Sequence, residues 1–239
     1  MYVPRSALSS RKPDVPVVVW FYGGAYVFGS KNGLGPDLPF YNGSGMLQAA
    51  KAAETKVIFV TGNYRLGAFG WLAGTKLEKV GLPNAGLYDQ RLVLQWVQDF
   101  IHLVGGDKTQ VSAWGESAGA GSIIHHLLRE GGTQDPLFRK AIVQSPAFEW
   151  QWDREGTLNE VFRNFSQLAN CSDYDMACLR AASTADLADA NQQLFQENTP
   201  CTGLFPVGPS LDGKLFQQLP PVAFATGRVL RIRRTRPNH

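Results

Sequence analysis

The sequence has little cysteine, little histidine and no long hydrophobic run. Its 239 residues include 3 Cys and 4 His. No uninterrupted apolar stretch approaches the roughly eighteen residues that a membrane-spanning helix needs. The opening residues MYVPRSALSSRKPD also lack the apolar stretch of a secretory signal. We therefore expect no transmembrane segment, and the sequence leaves the localisation open.

An excess of charge of one sign is also missing from most of the chain. The formal net charge is +3, but the last twelve residues, RVLRIRRTRPNH, hold five Arg and neither Asp nor Glu. Without them, 18 basic residues face 20 acidic ones, a net charge of −2. We therefore expect no nucleic-acid partner. The arginine-rich tail, residues 228–239, is either a basic targeting patch or a solvated end without a function of its own.

The chain does contain an alternation of buried strands and amphipathic helices. Continuous β-branched runs such as VPVVVWFY are typical of strands covered on both faces of a parallel sheet. Apolar runs predict strands at residues 15–22, 57–61, 110–114 and 141–144. Helical spacing predicts helices at residues 84–105, 118–128, 158–168, 175–182 and 186–195. This order predicts an α/β fold with a mostly parallel sheet.

Two of these helices carry signals for where they begin. Asn84 is a candidate N-cap of the first helix, and Ser183 with Asp186 fits a capping box before the last one. The first helix also has two neighbouring apolar rows, which are Tyr88, Leu92 and Trp96, and Val93, Val97 and Ile101. These rows indicate an amphipathic helix whose apolar stripe faces the core.

The stretch QVSAWGESAGAG places a serine between two glycines where a strand gives way to a helix. Gly115 and Gly119 lack the Cβ atoms that would collide at a sharp strand-to-helix turn. The helix N-terminus beyond Ser117 offers free N–H groups to an anionic intermediate. One interpretation is therefore a nucleophile elbow with the pattern G-x-S-x-G. The other is a serine that caps an ordinary helix.

A second glycine-rich stretch follows the first predicted strand. Residues 22–30 read YGGAYVFGS, so Gly23, Gly24 and Ala25 follow the end of that strand. An ester hydrolase needs backbone N–H donors for a tetrahedral oxyanion, one after the nucleophile and one or two from such an early loop. An ordinary glycine turn explains the stretch when it is taken alone. Two loops, each at a strand end and in the right order, favour the catalytic interpretation.

Four blocks of the sequence read, in order, VVVWFYGGAYVFGS, GNYRLGAFGWLA, LPNAGLYDQRLVLQWVQDFIHLVGGD and VSAWGESAGAGS. They closely resemble successive blocks of the type B carboxylesterase/lipase family, which includes cholinesterase-like enzymes and secreted fungal lipases. The resemblance covers residues 1–227 as one partial domain and leaves residues 228–239 unmatched. It implies an α/β-hydrolase fold and ester hydrolysis through an acyl-serine intermediate. The substrate would be a small-molecule carboxylic ester or a lipid, with neither metal nor cofactor.

Carried over position by position, the resemblance makes Ser117 the catalytic nucleophile. It makes Gly24, Ala25 and Ala118 the residues whose backbone N–H groups form the oxyanion hole. Members of the family often have Gly where this chain has Ala25, and many have His where it has Tyr22. Because the oxyanion donor is a backbone group, we expect the alanine to be tolerated.

The resemblance also implies a triad of Ser, then Glu or Asp, then His, and the chain offers no histidine for it. His102 precedes the serine on another helix. His125 and His126 lie about two turns further along the serine's own helix, at least ~12 Å away by helical rise, and His239 ends the arginine-rich tail. We therefore expect a truncated member that carries the nucleophile and the oxyanion hole but lacks the triad acid and His. Such a chain should show little or no turnover.

The three cysteines fit the same resemblance. It implies a disulfide between Cys171 and Cys178, for which two free thiols are the alternative, and Cys201 has no obvious partner. Three N-glycosylation patterns begin at Asn42, Asn164 and Asn170. These patterns are consistent with a secreted ancestor.

Two other functions stay open beside the hydrolase. One is a non-catalytic cholinesterase-like binding protein, and the other is a truncated product without a function. The elbow with its oxyanion loops favours the enzyme, since a binding module has no need of them. The aromatic residues Tyr26, Phe28, Tyr41 and Trp150 either line an apolar substrate gorge or pack in the core. The acyl and alcohol preferences of the ester stay open.

Overall fold

Four parallel strands form the centre of the molecule. The computed structural model describes residues 1–9, 12–33, 40–196 and 199–230. Within them, one sheet has the order β2-β1-β3-β4. Its strands are β1 (Val15–Phe21), β2 (Ile58–Thr61), β3 (Gly106–Glu116) and β4 (Lys140–Gln144). All three strand pairs are parallel, as the alternation of strands and helices predicts.

The position of β1 between two strands explains its unbroken apolar sequence. Val17 pairs with Ile58 of β2 on one side and with Val111 of β3 on the other. Successive side chains of a strand point to opposite faces of the sheet, and here Val17, Val18 and Val19 are all buried. Both faces of the sheet are therefore covered at β1, as is usual for parallel sheets.

Nine α-helices surround this sheet in the described part of the chain. They are α1 (Arg5–Leu8), α2 (Ser44–Ala52), α3 (Gly67–Trp71), α4 (Ala85–Phe100), α5 (Ala118–Leu128), α6 (Thr157–Leu168), α7 (Met176–Ala181), α8 (Thr184–Gln193) and α9 (Pro220–Ala225). Short 3₁₀ helices lie at Leu77–Lys79, Ile101–Val104 and Arg129–Gly132. None of the helices in the described ranges is both long enough and apolar enough to cross a bilayer.

The sequence predicted the four strands and five of these helices. The predicted bounds of α5 are those observed, and α6, α7 and α8 differ from prediction by at most two residues at either end. Helices α1, α2, α3 and α9 were not predicted, and their local signals are weak. α2 buries no residue, and α3 has two glycines among five residues. Four of the five residues of α3 are buried, so packing against the rest of the molecule, not local pattern, stabilises that helix.

The prediction for the buried face of α4 was wrong for one of its two rows. In the row of Tyr88, Leu92 and Trp96, the last two turn toward solvent, with Leu92 69% and Trp96 41% exposed, whereas Tyr88 is partly buried. The buried side chains of the helix include Leu87, Gln90, Leu94 and Val97. Apolar residues four apart lie on both sides of α4, so periodicity does not reveal which side the sheet covers.

Asn84 precedes α4, but not as the side-chain cap that the sequence predicted. Its backbone is left-handed, with φ 57° and ψ 29°, and its side chain makes no capping hydrogen bond. Instead its Oδ1 accepts from the N–H of Ser210 at 2.8 Å. Its Nδ2 donates to the carbonyl oxygen of Ser210 at 2.9 Å and to Asp212 at 3.1 Å. The buried amide thus joins α4 to a backbone segment that is distant in sequence.

The start of the arginine-rich tail packs against the body of the molecule. The N–H of Arg228 donates to the carbonyl oxygen of Ala223 at 2.8 Å, and that of Leu230 donates to the carbonyl oxygen of Leu127 at 2.9 Å. Residues 228–230 therefore continue the ordered chain beside α5. The rest of the tail, residues 231–239, lies outside the described residues.

We expect Asn84→Asp to lower the free energy of unfolding by about 2–4 kcal/mol, because it removes two donated hydrogen bonds and places a buried carboxylate beside Asp212. Asn170 offers a matched control, since it is also left-handed, with φ 56°, but exposed. Chemical denaturation of Asn84→Asp and Asn170→Asp measures both effects. Equal unfolding free energies for the two variants would contradict the role given to the Asn84 side chain.

β4 is an edge strand whose five residues are all exposed. Within the described residues it pairs with β3 alone. Ile142 is 41% and Val143 40% exposed. An apolar strand with an unpaired edge is a template for pairing with another chain.

We therefore expect the isolated chain to self-associate, and Val143→Lys to weaken that association because a charge on an edge strand opposes further pairing. Gln48→Lys adds the same charge at an exposed position of α2 and should leave association unchanged. Sedimentation velocity over a concentration series measures the difference. A monomeric wild-type chain, or equal effects of the two lysines, would show that the β4 edge is not responsible.

Candidate active site

Ser117 lies between the last residue of β3 and the first residue of α5. Its backbone is strained, with φ 51° and ψ −120°, as a sharp strand-to-helix turn predicts. Its N–H donates to Gln144 at 3.0 Å, and its carbonyl oxygen accepts from Gly121 and Ala147 at 2.9 Å each. The side chain makes no capping hydrogen bond with α5. The interpretation of Ser117 as an ordinary N-cap is therefore not supported.

Backbone crowding explains the small residues on either side of Ser117. A Cβ atom on Gly115 would lie 2.7 Å from the carbonyl carbon of Gly119, closer than real Cβ atoms approach. A Cβ on Gly119 would collide with the carbonyl oxygen of Phe21 in β1, and one on Gly121 with that of Ala147. The start of α5 is therefore in contact with the end of β1, and glycine is the residue that fits.

The glycine-rich stretch after β1 lies against Ser117. A Cβ atom on Gly23 would come within 2.9 Å of the Ser117 Cβ and within 2.6 Å of Glu116 Oε2. The bare backbone of Gly23 therefore borders the serine. The structure thus brings together the two stretches that the sequence suggested for nucleophile and oxyanion hole.

The residues that follow Gly23 turn the backbone sharply. Gly24, Ala25 and Tyr26 all have positive φ values, of 113°, 56° and 65°. In the part of the chain that the structure describes, the N–H groups of Gly24, Ala25 and Ala118 donate to no other protein atom. Backbone N–H groups without a protein acceptor are suitable donors to a bound anion.

Tyrosine hydroxyls hold this glycine-rich stretch in place. The hydroxyl of Tyr26 donates to the carbonyl oxygen of Ala147 at 2.8 Å, and Ala147 is also hydrogen-bonded to Ser117. The hydroxyl of Tyr64 donates to the carbonyl oxygen of Tyr22 at 2.7 Å, and their rings stack at 4.4 Å. Burial raises the pKa of the hydroxyls of Tyr22, Tyr26 and Tyr64. All three therefore stay protonated at neutral pH.

His125 and His126 are buried in α5, and neither is hydrogen-bonded to Ser117. Nε2 of His125 lies 2.9 Å from the carbonyl oxygen of Glu149, and Nε2 of His126 lies 3.1 Å from Gln90 Oε1. Burial lowers the pKa of His125 to about 4 and the pKa of His126 to about 3. Both side chains are therefore neutral at pH 7, and they pack in the interior.

The other two histidines lie elsewhere. His102 is in the 3₁₀ helix Ile101–Val104, before β3, whereas Ser117 follows β3. A strand of 11 residues at about 3.3 Å per residue separates them by on the order of 30 Å. His239 lies outside the described residues. Among the histidines that the structure describes, none is a hydrogen-bond partner of Ser117.

A cleft of about 450 Å³ adjoins Glu116, the residue before the serine. Its walls are aromatic and apolar and include Trp20, Tyr41, Met46 and Phe59. The sequence reasoning missed Glu116 because it occupies the variable position of G-x-S-x-G. Only the folded structure shows that the Glu116 side chain lies beside both the cleft and Gly23.

The four aromatic residues suggested for a substrate gorge do not share one location. Tyr41 lines the cleft beside Glu116, whereas Tyr26 is buried in the core and Phe28 is exposed. Trp150 packs against Phe148 with 5.4 Å between ring centroids. Of the two alternatives left open by the sequence, Tyr26 fits core packing and Tyr41 fits a cleft.

Cys171 and Cys178 form a disulfide in the structure, with Cα atoms 5.8 Å apart. The bridge closes the loop before α7, where Asp175 also accepts from the N–H of Cys178 at 2.9 Å. Cys201 is an exposed free thiol. Across the described ranges, no group of three His, Cys, Asp or Glu side chains could hold a metal ion.

Solved esterases have the same arrangement of strands and helices. A structure named PNB esterase superposes on this chain with a TM-score of 0.76 at 32% identity, over 92% of this chain and 44% of that one. The parallel sheet flanked by helices is therefore part of an α/β-hydrolase fold.

The sequence comparisons identify the family within that fold. The model of the carboxylesterase family matches residues 1–232. A secreted lipase of Arthroderma benhamiae is 44% identical over 231 residues, which are 96% of this chain and 43% of the relative. Carboxylesterase patB of Penicillium expansum is 39% identical over 229 residues, which are 92% and 39% of the two chains.

The chain belongs to the carboxylesterase family, a family of carboxylic-ester hydrolases. This confirms the resemblance seen in the four sequence blocks. The chain spans less than half the length of the relatives that it matches.

We expect Ala25→Gly to raise the free energy of unfolding by about 0.5–1 kcal/mol. A left-handed alanine costs about 1–2 kcal/mol, which exceeds the roughly 0.4–1 kcal/mol that glycine loses through its more flexible unfolded chain. Ala49→Gly is the matched control, because Ala49 is exposed in α2 and glycine within a helix costs about 1 kcal/mol. The two substitutions should shift the unfolding midpoint in opposite directions, and a fall in both would contradict the strain at Ala25.

Proposed function

We propose that this chain carries the nucleophile and the oxyanion hole of a carboxylic-ester hydrolase that acts through a serine acyl-enzyme intermediate. The observation that carries the proposal is the contact between Ser117 and the glycine-rich stretch. Gly23 borders the serine, and the strained Ser117 backbone lies at the carboxyl end of a central strand, where α/β sheets bind ligands. An isolated helix cap requires none of these features.

Ser117 Oγ would lose its proton to a base and attack the carbonyl carbon of the ester, and the carbonyl oxygen would become an oxyanion. When the oxyanion re-forms the carbonyl, the ester C–O bond would break, the alcohol would leave and the acyl group would stay on Oγ. The N–H groups of Gly24, Ala25 and Ala118 are the proposed donors to that oxyanion, since no protein acceptor in the described residues occupies them. The amino end of α5, an 11-residue helix, adds a favourable dipole there. Removing one such donor from a serine hydrolase costs about 10²–10³ in kcat.

The proposed substrate is a small-molecule carboxylic ester or a lipid. The relatives are a secreted lipase and a carboxylesterase, which supports this class. The cleft beside Glu116 fits an apolar part of such a substrate, because Trp20, Tyr41 and Phe59 line it.

We further infer that this chain by itself hydrolyses esters poorly. A serine needs a base to accept its proton. The described histidines are engaged elsewhere, since His125 and His126 are buried on other partners and His102 lies at the far end of β3. Loss of the triad base costs a serine hydrolase on the order of 10⁶ in kcat.

A phosphonate with a p-nitrophenol leaving group tests the nucleophile separately from the base. p-Nitrophenolate leaves without a general acid, and hydroxide in solution accepts the serine proton in place of a base of the protein. We therefore expect an adduct on Ser117 whose rate of formation rises between pH 7 and pH 9, measured by peptide mass spectrometry. Hydrolysis of p-nitrophenyl butyrate by the same chain should not exceed that of Ser117→Ala.

Ser145 provides the matched control for this labelling. It is also a serine with positive φ, 43°, directly after a strand of the same sheet. Ser145→Ala should therefore label as the wild-type chain does. Labelling of Ser145, or no labelling of Ser117 at pH 9, would refute the nucleophile and oxyanion assignment. Hydrolysis clearly faster than that of Ser117→Ala would instead refute the inference that the chain lacks a base. That result would leave the assignment of Ser117 as the nucleophile unaffected.

A further inference from the structure

A groove between α3, α6, α7 and α8 lies apart from the candidate active site. Its cavity measures about 370 Å³, within the roughly 300–1,000 Å³ of small-molecule sites. Its walls are mainly apolar and include Phe69, Leu72, Leu82, Phe165, Met176 and Leu187. Neither Ser117 nor the glycine-rich stretch contributes to these walls.

The charged side chains of the described residues that line this groove are two arginines, Arg65 and Arg180. Arg65 is already neutralised, because its Nε and Nη2 donate to the Asp89 carboxylate at 2.8 and 2.9 Å. Arg180 has no carboxylate partner in the described part of the chain. The groove therefore has a net positive charge.

The Arg180 guanidinium lies at the rim of the groove. Its Nη2 donates to the carbonyl oxygen of Val80 at 3.3 Å, and Val80 directly precedes two residues that line the groove, Gly81 and Leu82. The side chain thus reaches from α7 to the turn before α4. A guanidinium has five N–H donors in a planar fork that matches two carboxylate oxygens, and Arg180 uses one of them here.

We propose that this groove binds the anion of an aliphatic carboxylic acid. The carboxylate would accept hydrogen bonds from Arg180 at the rim, and the hydrocarbon chain would lie against Phe69, Leu82 and Leu187. An apolar wall alone would accept any aliphatic chain, whereas a guanidinium without a carboxylate partner in the described residues selects the anion. Binding here does not depend on ester hydrolysis, because Ser117 is not part of the groove.

Isothermal titration of the chain with decanoate, below its micellar concentration, tests the proposal. One equivalent of decanoate should bind. The affinities for decanol and decyltrimethylammonium should be at least about tenfold lower, because neither compound accepts the charge-assisted hydrogen bond from Arg180. Octanoate should bind up to about fifteenfold more weakly than decanoate, because it lacks two CH₂ groups and each buried CH₂ adds up to about fourfold in affinity. Arg180→Gln should lose about tenfold in affinity for decanoate and keep its affinity for decanol.

Three further variants keep the result interpretable. Arg163→Gln removes a guanidinium from α6 that is paired with Glu160 and lies outside the groove, so it should bind decanoate unchanged. Phe69→Ala, at a partly exposed wall position, should weaken decanoate and decanol alike. Ser117→Ala should bind as the wild-type chain does, which separates this site from the proposed hydrolase.

Three outcomes would overturn the proposal. They are no binding of decanoate to the wild-type chain, equal affinity for decanoate and decanol, and unchanged decanoate affinity in Arg180→Gln. Circular dichroism of each variant confirms that the fold is intact before the affinities are compared.

Discussion

The contact between the start of α5 and the end of β1 is the constraint on which the candidate site depends. The helix begins so close to β1 that a side chain on Gly119 would collide with the carbonyl oxygen of Phe21. This approach leaves no space for a gradual turn, so Ser117 takes a strained backbone conformation between β3 and the helix. The same approach brings Gly23, just after β1, against the serine.

Strain at Ser117 persists because the surrounding backbone fixes the turn from three sides. β4 supplies the carbonyl oxygen of Gln144 for the Ser117 N–H, and Ala147 donates to the Ser117 carbonyl oxygen. Tyr26 then binds Ala147 through its hydroxyl, which connects the glycine-rich stretch to the same turn. A residue in a sparsely populated conformation costs about 1–3 kcal/mol, and these hydrogen bonds offset that cost. The backbone conformation of Ser117 is therefore set by its contacts with the sheet and not by the intrinsic φ/ψ preference of serine.

The parts of this arrangement that the sequence could predict are those that depend on local pattern. β-branched runs predicted the strands, and glycines at fixed spacing predicted the turn at Ser117. The prediction failed where contacts between residues distant in sequence determine the position of a side chain. The sequence predicts Asn84 as a helix cap, but its amide pairs with Ser210, 126 residues later. It also predicts that Leu92 and Trp96 of α4 face the core, but both are exposed. Glu116 lacked any signal, because only the folded chain places it beside Gly23 and the cleft.

The burial of α5 also determines what its histidines can do. His125 lies between Phe148 and Phe216, with ring centroids at 4.8 and 5.2 Å, and loss of hydration lowers its pKa to about 4. A general base needs a mobile or aligned imidazole with a pKa near the working pH, and His125 has neither property. The chain therefore separates two requirements of serine catalysis. In the proposed mechanism its backbone would position the nucleophile and the oxyanion donors, while the proton acceptor must come from residues other than the histidines packed in α5.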